Sequence, residues 1–216
     1  MDLRSLIQHI TTRIIQPLPG REYQLSMFSE QARIDYETRI NNYENENKNN
    51  VAKQSSVLIL FYEKEGKLFV PLIKRASYDG VHSGQIAFPG GKVEPKDKDI
   101  IATALRESQE EIGISLTGIE ILGILSPVFI PPSNFLVNVV LAYTSSVPQF
   151  TIDTFEVAEL IEFPLIHLEN SASIQERDVM GSTSWRMKAP GYVYQEHFIW
   201  GATAMMLSEL KALMKK

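Results

Sequence analysis

The stretch from Gly90 to Ile114 constrains the fold of this chain more than any other. Phe88-Pro89-Gly90-Gly91 makes a tight loop, bare of side chains at its glycines. Such a loop can present backbone carbonyls to a metal or backbone amides to a phosphate. Residues 99–112 follow with helical periodicity, with Asp97 or Asp99 available as N-cap and Gly113 where a C-cap glycine belongs. On a helical wheel at about 100° per residue, Ile101, Ala104, Leu105, Ser108 and Ile112 share one face. Glu107, Glu110 and Glu111 lie largely on the other side, with Thr103 and Arg106. These glutamates stand at i, i+3 and i+4, so their carboxylates are expected to converge. Like charges at that spacing destabilise a helix by roughly 0.2–0.5 kcal/mol per pair. Acids in the last turn also meet the negative end of the helix dipole, at about 0.3–1 kcal/mol each. A cation offsets both costs, and hard oxygen donors on a rigid helix suit Mg²⁺ or Mn²⁺, which also bind phosphates. A solvated charged helix face is the plainer reading of the same acids.

The surrounding sequence alternates strand and helix signals. Residues 57–62 and 68–73 are β-rich runs joined by a turn at Gly66, a hairpin signal. Residues 86–88 form a short third run. Further strands are expected at 119–125, 135–143, 160–164, 185–188 and 192–200. A last helix spans 202–214, apolar at Met205, Met206, Leu210 and Leu213. This order predicts an α/β fold with a mixed sheet. Upstream, Leu3, Leu6, Ile7, Ile10, Ile14 and Ile15 recur at helical spacing until Pro17-Leu18-Pro19-Gly20. Residues 41–50 are polar and Asn-rich, a loop or linker signal. Residues 1–50 therefore read as a helical extension with an Asn-rich linker, and 51–216 as the main domain.

Composition removes several function classes. The 216 residues include no cysteine, so disulfides, thiolate metal sites and cysteine nucleophiles are excluded. That absence fits a reducing cytoplasm, the expected compartment. The net charge is −5 and the lysines and arginines are scattered, which gives no footprint for nucleic acid. No apolar run approaches the ~18 residues of a membrane span. Residues 1–20 carry Asp2, Arg4, His9 and Arg13 and lack the apolar core of a signal peptide.

Gly91-Lys92-Val93-Glu94, Asp97 and Arg106-Glu107-Ser108-Gln109-Glu110-Glu111-Ile112-Gly113-Ile114 resemble the Nudix box, G-x5-E-x7-R-E-U-x-E-E-x-G-U. The back half matches at every fixed position except Ser108, where an apolar residue is usual. In the front half the first acid is Asp97, and eight residues rather than seven separate it from Arg106. Lys74-Arg75-Ala76, His82 to Gly91, Thr103 to Glu107 and Ile199 to Ala204 are similar to the coenzyme A pyrophosphatase branch of that family. The branch shares the aspartate and the extra residue. Its pattern L-L-T-x-R-[SA]-x3-R-x3-G-x3-F-P-G-G is broken here at Pro71, Ile73 and Gly80, and the last replaces an arginine suited to coenzyme phosphates.

The resemblance implies a Nudix-type α/β/α sandwich and a hydrolase that cleaves the diphosphate linkage of a nucleoside diphosphate derivative, coenzyme A or a related compound. It implies Mg²⁺ or Mn²⁺ held by Glu107, Glu110, Glu111 and the Gly91 carbonyl. Arg106, a cation with no acceptor, is expected to orient a box carboxylate, Glu107 foremost. The general base is expected from the box, at Glu111, or from a loop acid, Glu156 in preference to Glu159. Arg75, His82, Gln85 and Asn134 are candidate substrate contacts. Each has a plainer reading: a surface charge for Arg75, a turn residue for His82, a structural proline turn around Asn134 and Phe135. Trp185 and Trp200 could stack on a base or simply pack. The expected partner is a small-molecule diphosphate, with neither nucleic acid nor membrane, and residues 1–50 could serve a homodimer contact or a lid. Two other readings stay open: a Nudix pyrophosphatase for ADP-ribose, a sugar nucleotide or a dinucleotide, and a catalytically inactive Nudix-fold binding module.

Overall fold

A computed structural model describes residues 2–46, 52–76, 84–180 and 186–215. The central strand β1 (Lys53–Lys64) is apolar without a break from Val57 to Tyr62, where both of its faces are covered. Leu58 and Leu60 face one core cluster, and Ile59 and Phe61 face the other. β1 runs parallel to β6 (Phe135–Thr144) and antiparallel to β2 (Lys67–Arg75) and to the three-residue β4 (Gly90–Lys92). β5 (Ile119–Ile130) extends the sheet beyond β6, while β3 (Ile86–Ala87) and β7 (Val157–Pro164) flank β2. The path is β3-β2-β1-β6-β5, so the sheet is mixed, as its order in the sequence predicts. A second sheet runs β10-β9-β8, from β8 (Ile174–Met180), β9 (Arg186–Tyr194) and β10 (His197–Trp200).

Helices close both faces. On one, α4 (Ile100–Ile112) packs Ala104 and Ile112 on Leu58, Leu60, Val140 and Ala142. On the other lie α1 (Leu3–Arg13), α2 (Arg21–Leu25), α3 (Glu30–Glu46) and α5 (Gly201–Met214). The result is an α/β/α sandwich. Among the described residues no helix is long and apolar enough to cross a membrane.

Two expectations change. The reading of 41–50 as loop fails over its first half, since α3 continues to Glu46, and 47–50 lie outside the described residues. The strand expected at 192–200 is a hairpin instead: Tyr194 pairs with His197 across a turn at Gln195-Glu196, with Gln195 at φ 54°.

The N-terminal helices share the core of the main sheet. Leu6, Ile10, Leu25, Tyr36 and Ile40 join one cluster with Leu125, Phe129, Leu207 and Leu210. The fully buried Glu209 of α5 fixes this contact. Its carboxylate accepts from Gly20 N–H (3.1 Å), the Gln24 side-chain amide (2.7 Å) and Ser126 N–H (3.2 Å). Tyr36 Oη also donates to the Phe129 carbonyl at 2.8 Å. Buried donors left without an acceptor cost about 1–3 kcal/mol each, so Glu209→Ala is expected to lower stability by about 3 kcal/mol or more. Urea unfolding checks this, and wild-type stability in that variant would contradict the clamp.

Candidate active site

Local chemistry sets α4 in place. Asp99 Oδ1 accepts from Ala102 N–H at 2.7 Å as N-cap, and Gly113, at φ 66°, ends the helix in the left-handed region. Ser108, the unusual polar residue of the motif, is fully buried and satisfies its hydroxyl on the Ala104 carbonyl at 2.7 Å. Asp97 does not cap the helix. It accepts from Arg106 Nε and Nη2 (2.8 and 2.9 Å), from Thr103 Oγ1 (2.9 Å) and from Glu94 N–H (2.9 Å). The Arg106 guanidinium beside it holds the Asp97 carboxyl well below the usual carboxylate range.

Arg106 is the hub of the acidic face. Nη1 donates to Glu107 Oε1 and to Glu110 Oε2, both at 2.8 Å, and Nη2 donates to the Lys92 carbonyl at 3.1 Å. Glu107 is therefore one of three carboxylates that Arg106 holds. Glu110 stays 53% exposed and also lies 3.7 Å from Lys96 Nζ.

Glu107 lies between two glutamates that part company, Glu110 toward solvent and Glu111 toward the core. Glu111 adjoins Ser108 and Ile112 on the helix and turns inward with them, to 1% exposure. Its Oε2 accepts from Gly90 N–H at 2.8 Å, and its Oε1 lies 3.6 Å from Arg75 Nη1. Burial pushes the Glu111 carboxyl up to about 7, against the Gly90 N–H and Arg75, while Glu107 and Glu156 push it further. Glu107 is raised too, again chiefly by burial, with Arg106 opposing. The glycines admit these carboxylates. A Cβ on Gly91 would stand 2.4 Å from the Glu107 carboxyl, and one on Gly90 would stand 2.3 Å from the Ser56 carbonyl oxygen.

The other candidates divide clearly. Arg75 lies at the end of β2, where its N–H donates to the Gln85 carbonyl at 3.0 Å, so these two are neighbours. Arg75 Nε is buried with no hydrogen-bond partner among the described residues. The pairing of Arg75 with Glu111 had no sequence signal, because it joins a strand end to a helix 36 positions later. Glu156 and Glu159 point to different places. A register shift at Lys74/Arg75 lets Val157 and Leu160 both pack toward α4, while Ile161 joins the opposite core. Glu156 is close enough to Glu107 and Glu111 to raise both, and Glu159 instead pairs with His197 at 3.2 Å. Asn134 has φ 54° and donates its N–H to the Pro131 carbonyl at 3.3 Å, which makes it the turn residue before β6. Phe135, next to it, carries Lys53 Nζ 5.6 Å from its ring centroid. Trp200 precedes α5 as its N-cap. His82, Gly80 and Trp185 lie outside the described residues.

Residues 52–179 match the NUDIX domain family, and the chain belongs to that family. It is a Nudix hydrolase, an enzyme of pyrophosphate bonds, related to coenzyme A pyrophosphatases. The uncharacterized Nudix hydrolase NudL of Photorhabdus laumondii is 36% identical over 139 residues, 64% of this chain and 73% of that protein. NudL of Enterobacter sp. is 36% identical over 165 residues, 73% and 81% of the two chains. The human mitochondrial coenzyme A diphosphatase NUDT8 is 31% identical over 135 residues, 62% of this chain and 57% of its own length.

Nudix hydrolases generally use divalent metals, and the donor set fits one. Glu107 and Glu111 are carboxylates whose burial leaves negative charge incompletely balanced, and Glu156 adds a third within electrostatic reach. Without metal, the Glu111 carboxyl sets a pH dependence of stability. Its folded value of about 7 lies above its ordinary 4.5, so the native state keeps its proton after the unfolded chain has lost it. Its contribution is complete below pH 4.5 and is lost as pH rises to about 7, a loss of about 3 kcal/mol. Asp97 acts oppositely, but only below its ordinary 3.8. Urea unfolding of the metal-free protein across this range is expected to show the decline, and Glu111→Gln to flatten it. An unchanged slope in that variant would contradict the assignment.

Proposed function

We propose that the chain hydrolyses the diphosphate linkage of coenzyme A or a closely related nucleoside diphosphate derivative, in a reaction dependent on Mg²⁺ or Mn²⁺. The observation that carries this reading is the buried Glu111 carboxylate, tied to the loop by Gly90 N–H and only partly neutralised by Arg75. Glu107, Glu110 and Glu111 would hold the metal together with the Gly91 carbonyl. When bound, it neutralises diphosphate charge and makes water a usable nucleophile. Arg106 fixes the Glu107 and Glu110 carboxylates and keeps Asp97 ionised as its anchor. Glu156 is exposed beside these acids and takes the proton from the attacking water, with Glu111 the alternative within the box. Arg75, whose Nε has no hydrogen-bond partner among the described residues, lies beside Glu111 and serves as a phosphate contact, with Gln85 adjacent and with His82 and Asn134 as further contacts. The catalytic unit is residues 51–216, with 1–50 as the extension that covers one face of its sheet.

Two facts favour coenzyme A among diphosphates. The relative NUDT8 is named for it. Ile73 is fully buried and Pro71 is buried in β2, past the end of its ladder with β1. Those two departures from the coenzyme A pattern therefore change core packing. A second reading, turnover of ADP-ribose or a dinucleotide, follows from the replacement of the patterned arginine by Gly80.

Incubation with Mg²⁺ and a panel of coenzyme A, ADP-ribose, dinucleotides and nucleoside triphosphates, with products identified by mass, tests the proposal. Coenzyme A is expected to be cleaved at its diphosphate. Glu111→Gln and Glu156→Gln are expected to lose at least roughly 10²-fold in kcat, while Glu159→Gln keeps wild-type turnover. Turnover of ADP-ribose alone would move the substrate, and no turnover of any compound would remove the enzymatic reading of this site. The Gly91 contact gives a sharper check. Gly91→Ala pushes only on the end of a flexible side chain, so it is expected to keep the fold and lose roughly 10²-fold in rate by displacing the Glu107 carboxylate. Wild-type kcat in Gly91→Ala would show that the Glu107 position does not matter.

A further inference from the structure

A second group of metal-type ligands lies away from the acids of α4. Glu196 lies in the turn between β9 and β10, His197 opens β10, and Glu159 of β7 lies against them. The His197 side chain is only 4% exposed, and its Nε2 is 3.2 Å from Glu159 Oε1 and 3.9 Å from Glu196 Oε1. One ligand atom from each of the three lies within 4.8 Å of the other two. Glu159 and His197 border a cavity of about 330 Å³, lined also by Phe69, Glu162 and Tyr194.

The groups present do not use up their bonding capacity on one another. Glu162 is occupied, accepting from Tyr62 Oη at 2.7 Å and from Lys64 Nζ at 2.8 Å. Glu159 and Glu196 pair with no lysine or arginine among the described residues. The buried imidazole makes no contact of hydrogen-bond geometry among the described residues, although a carboxylate oxygen stands 3.2 Å from Nε2. An exposed ion pair contributes only ~0–1 kcal/mol, which does not explain why a second carboxylate, 76% exposed, approaches the same nitrogen.

A cation explains the set. Ligands about 2.1 Å from a tetrahedral Zn²⁺ stand about 3.4 Å apart, close to the spacing of these atoms. One imidazole nitrogen and two carboxylate oxygens are borderline donors that suit Zn²⁺ better than Mg²⁺, which takes oxygen ligands and keeps its waters. We propose that Glu159, Glu196 and His197 bind Zn²⁺ or a similar borderline divalent cation, with water from the cavity as fourth ligand. The bound ion ties the β9–β10 turn to β7. The site is independent of the diphosphate chemistry and stands or falls separately from it.

The test uses the full chain in excess Mg²⁺, which occupies the oxygen donors of α4. Zn²⁺ is titrated by calorimetry, and thermal unfolding is followed with and without it. The wild type is expected to bind one Zn²⁺ and to gain in melting temperature. The double variant Glu159→Gln/Glu196→Gln alters two partly exposed side chains, so it is expected to fold normally while its Zn²⁺ affinity falls at least tenfold and the thermal gain disappears. Equal Zn²⁺ affinity in the two proteins, or no binding by the wild type, overturns the proposal.

Discussion

The hydrogen bond from Gly90 N–H to the Glu111 carboxylate, 2.8 Å long, joins the glycine loop to α4, which packs on its face of the sheet. It works only because Gly90 has no side chain, since Ser56 and Val57 of β1 fill the place of a Cβ. β4 can then pair with β1 from Ser55 to Val57, and α4 lies across both. The same bond requires a carboxylate in a dry place, where its charge is costly. Arg75 returns part of that cost from 3.6 Å, too far for a hydrogen bond. The remainder stays uncompensated among the described residues, and it raises the Glu111 carboxyl.

Arg106 solves a different problem. Asp97, Glu107 and Glu110 would repel one another if each were left to itself. One planar fork meets all three and the Lys92 carbonyl, so the acids are held in fixed places before any ligand arrives. Such preorganisation lowers the cost of binding and of reaction. The aspartate at position 97 and its extra residue fit this scheme, because Asp97 also accepts from Thr103 and from Glu94 N–H.

The motif made the helix and its caps legible in the sequence. Its depth was not legible. The wheel grouped Glu111 with Glu107, yet a residue next to Ile112 turns inward once β4 offers it an N–H. Strand β8 escaped notice because Gln175, Glu176, Arg177 and Asp178 are exposed in succession and show no alternation. Helix α3 was hidden because, among its described side chains, Tyr36 and Ile40 carry its burial against the long polar run around them. The N-terminal helices read as an appendage, and nothing local in the sequence signals that Gly20 and Gln24 bond to Glu209, more than 180 positions away. Contacts of that separation depend on the finished fold.

Anomalous diffraction from crystals grown with Mn²⁺ tests the central claim most directly. A manganese peak is expected within bonding distance of Glu107 and Glu111, with the Gly91 carbonyl beside it. A structure in which Arg75 and Arg106 alone continue to neutralise those carboxylates, with no peak among them, would contradict the account.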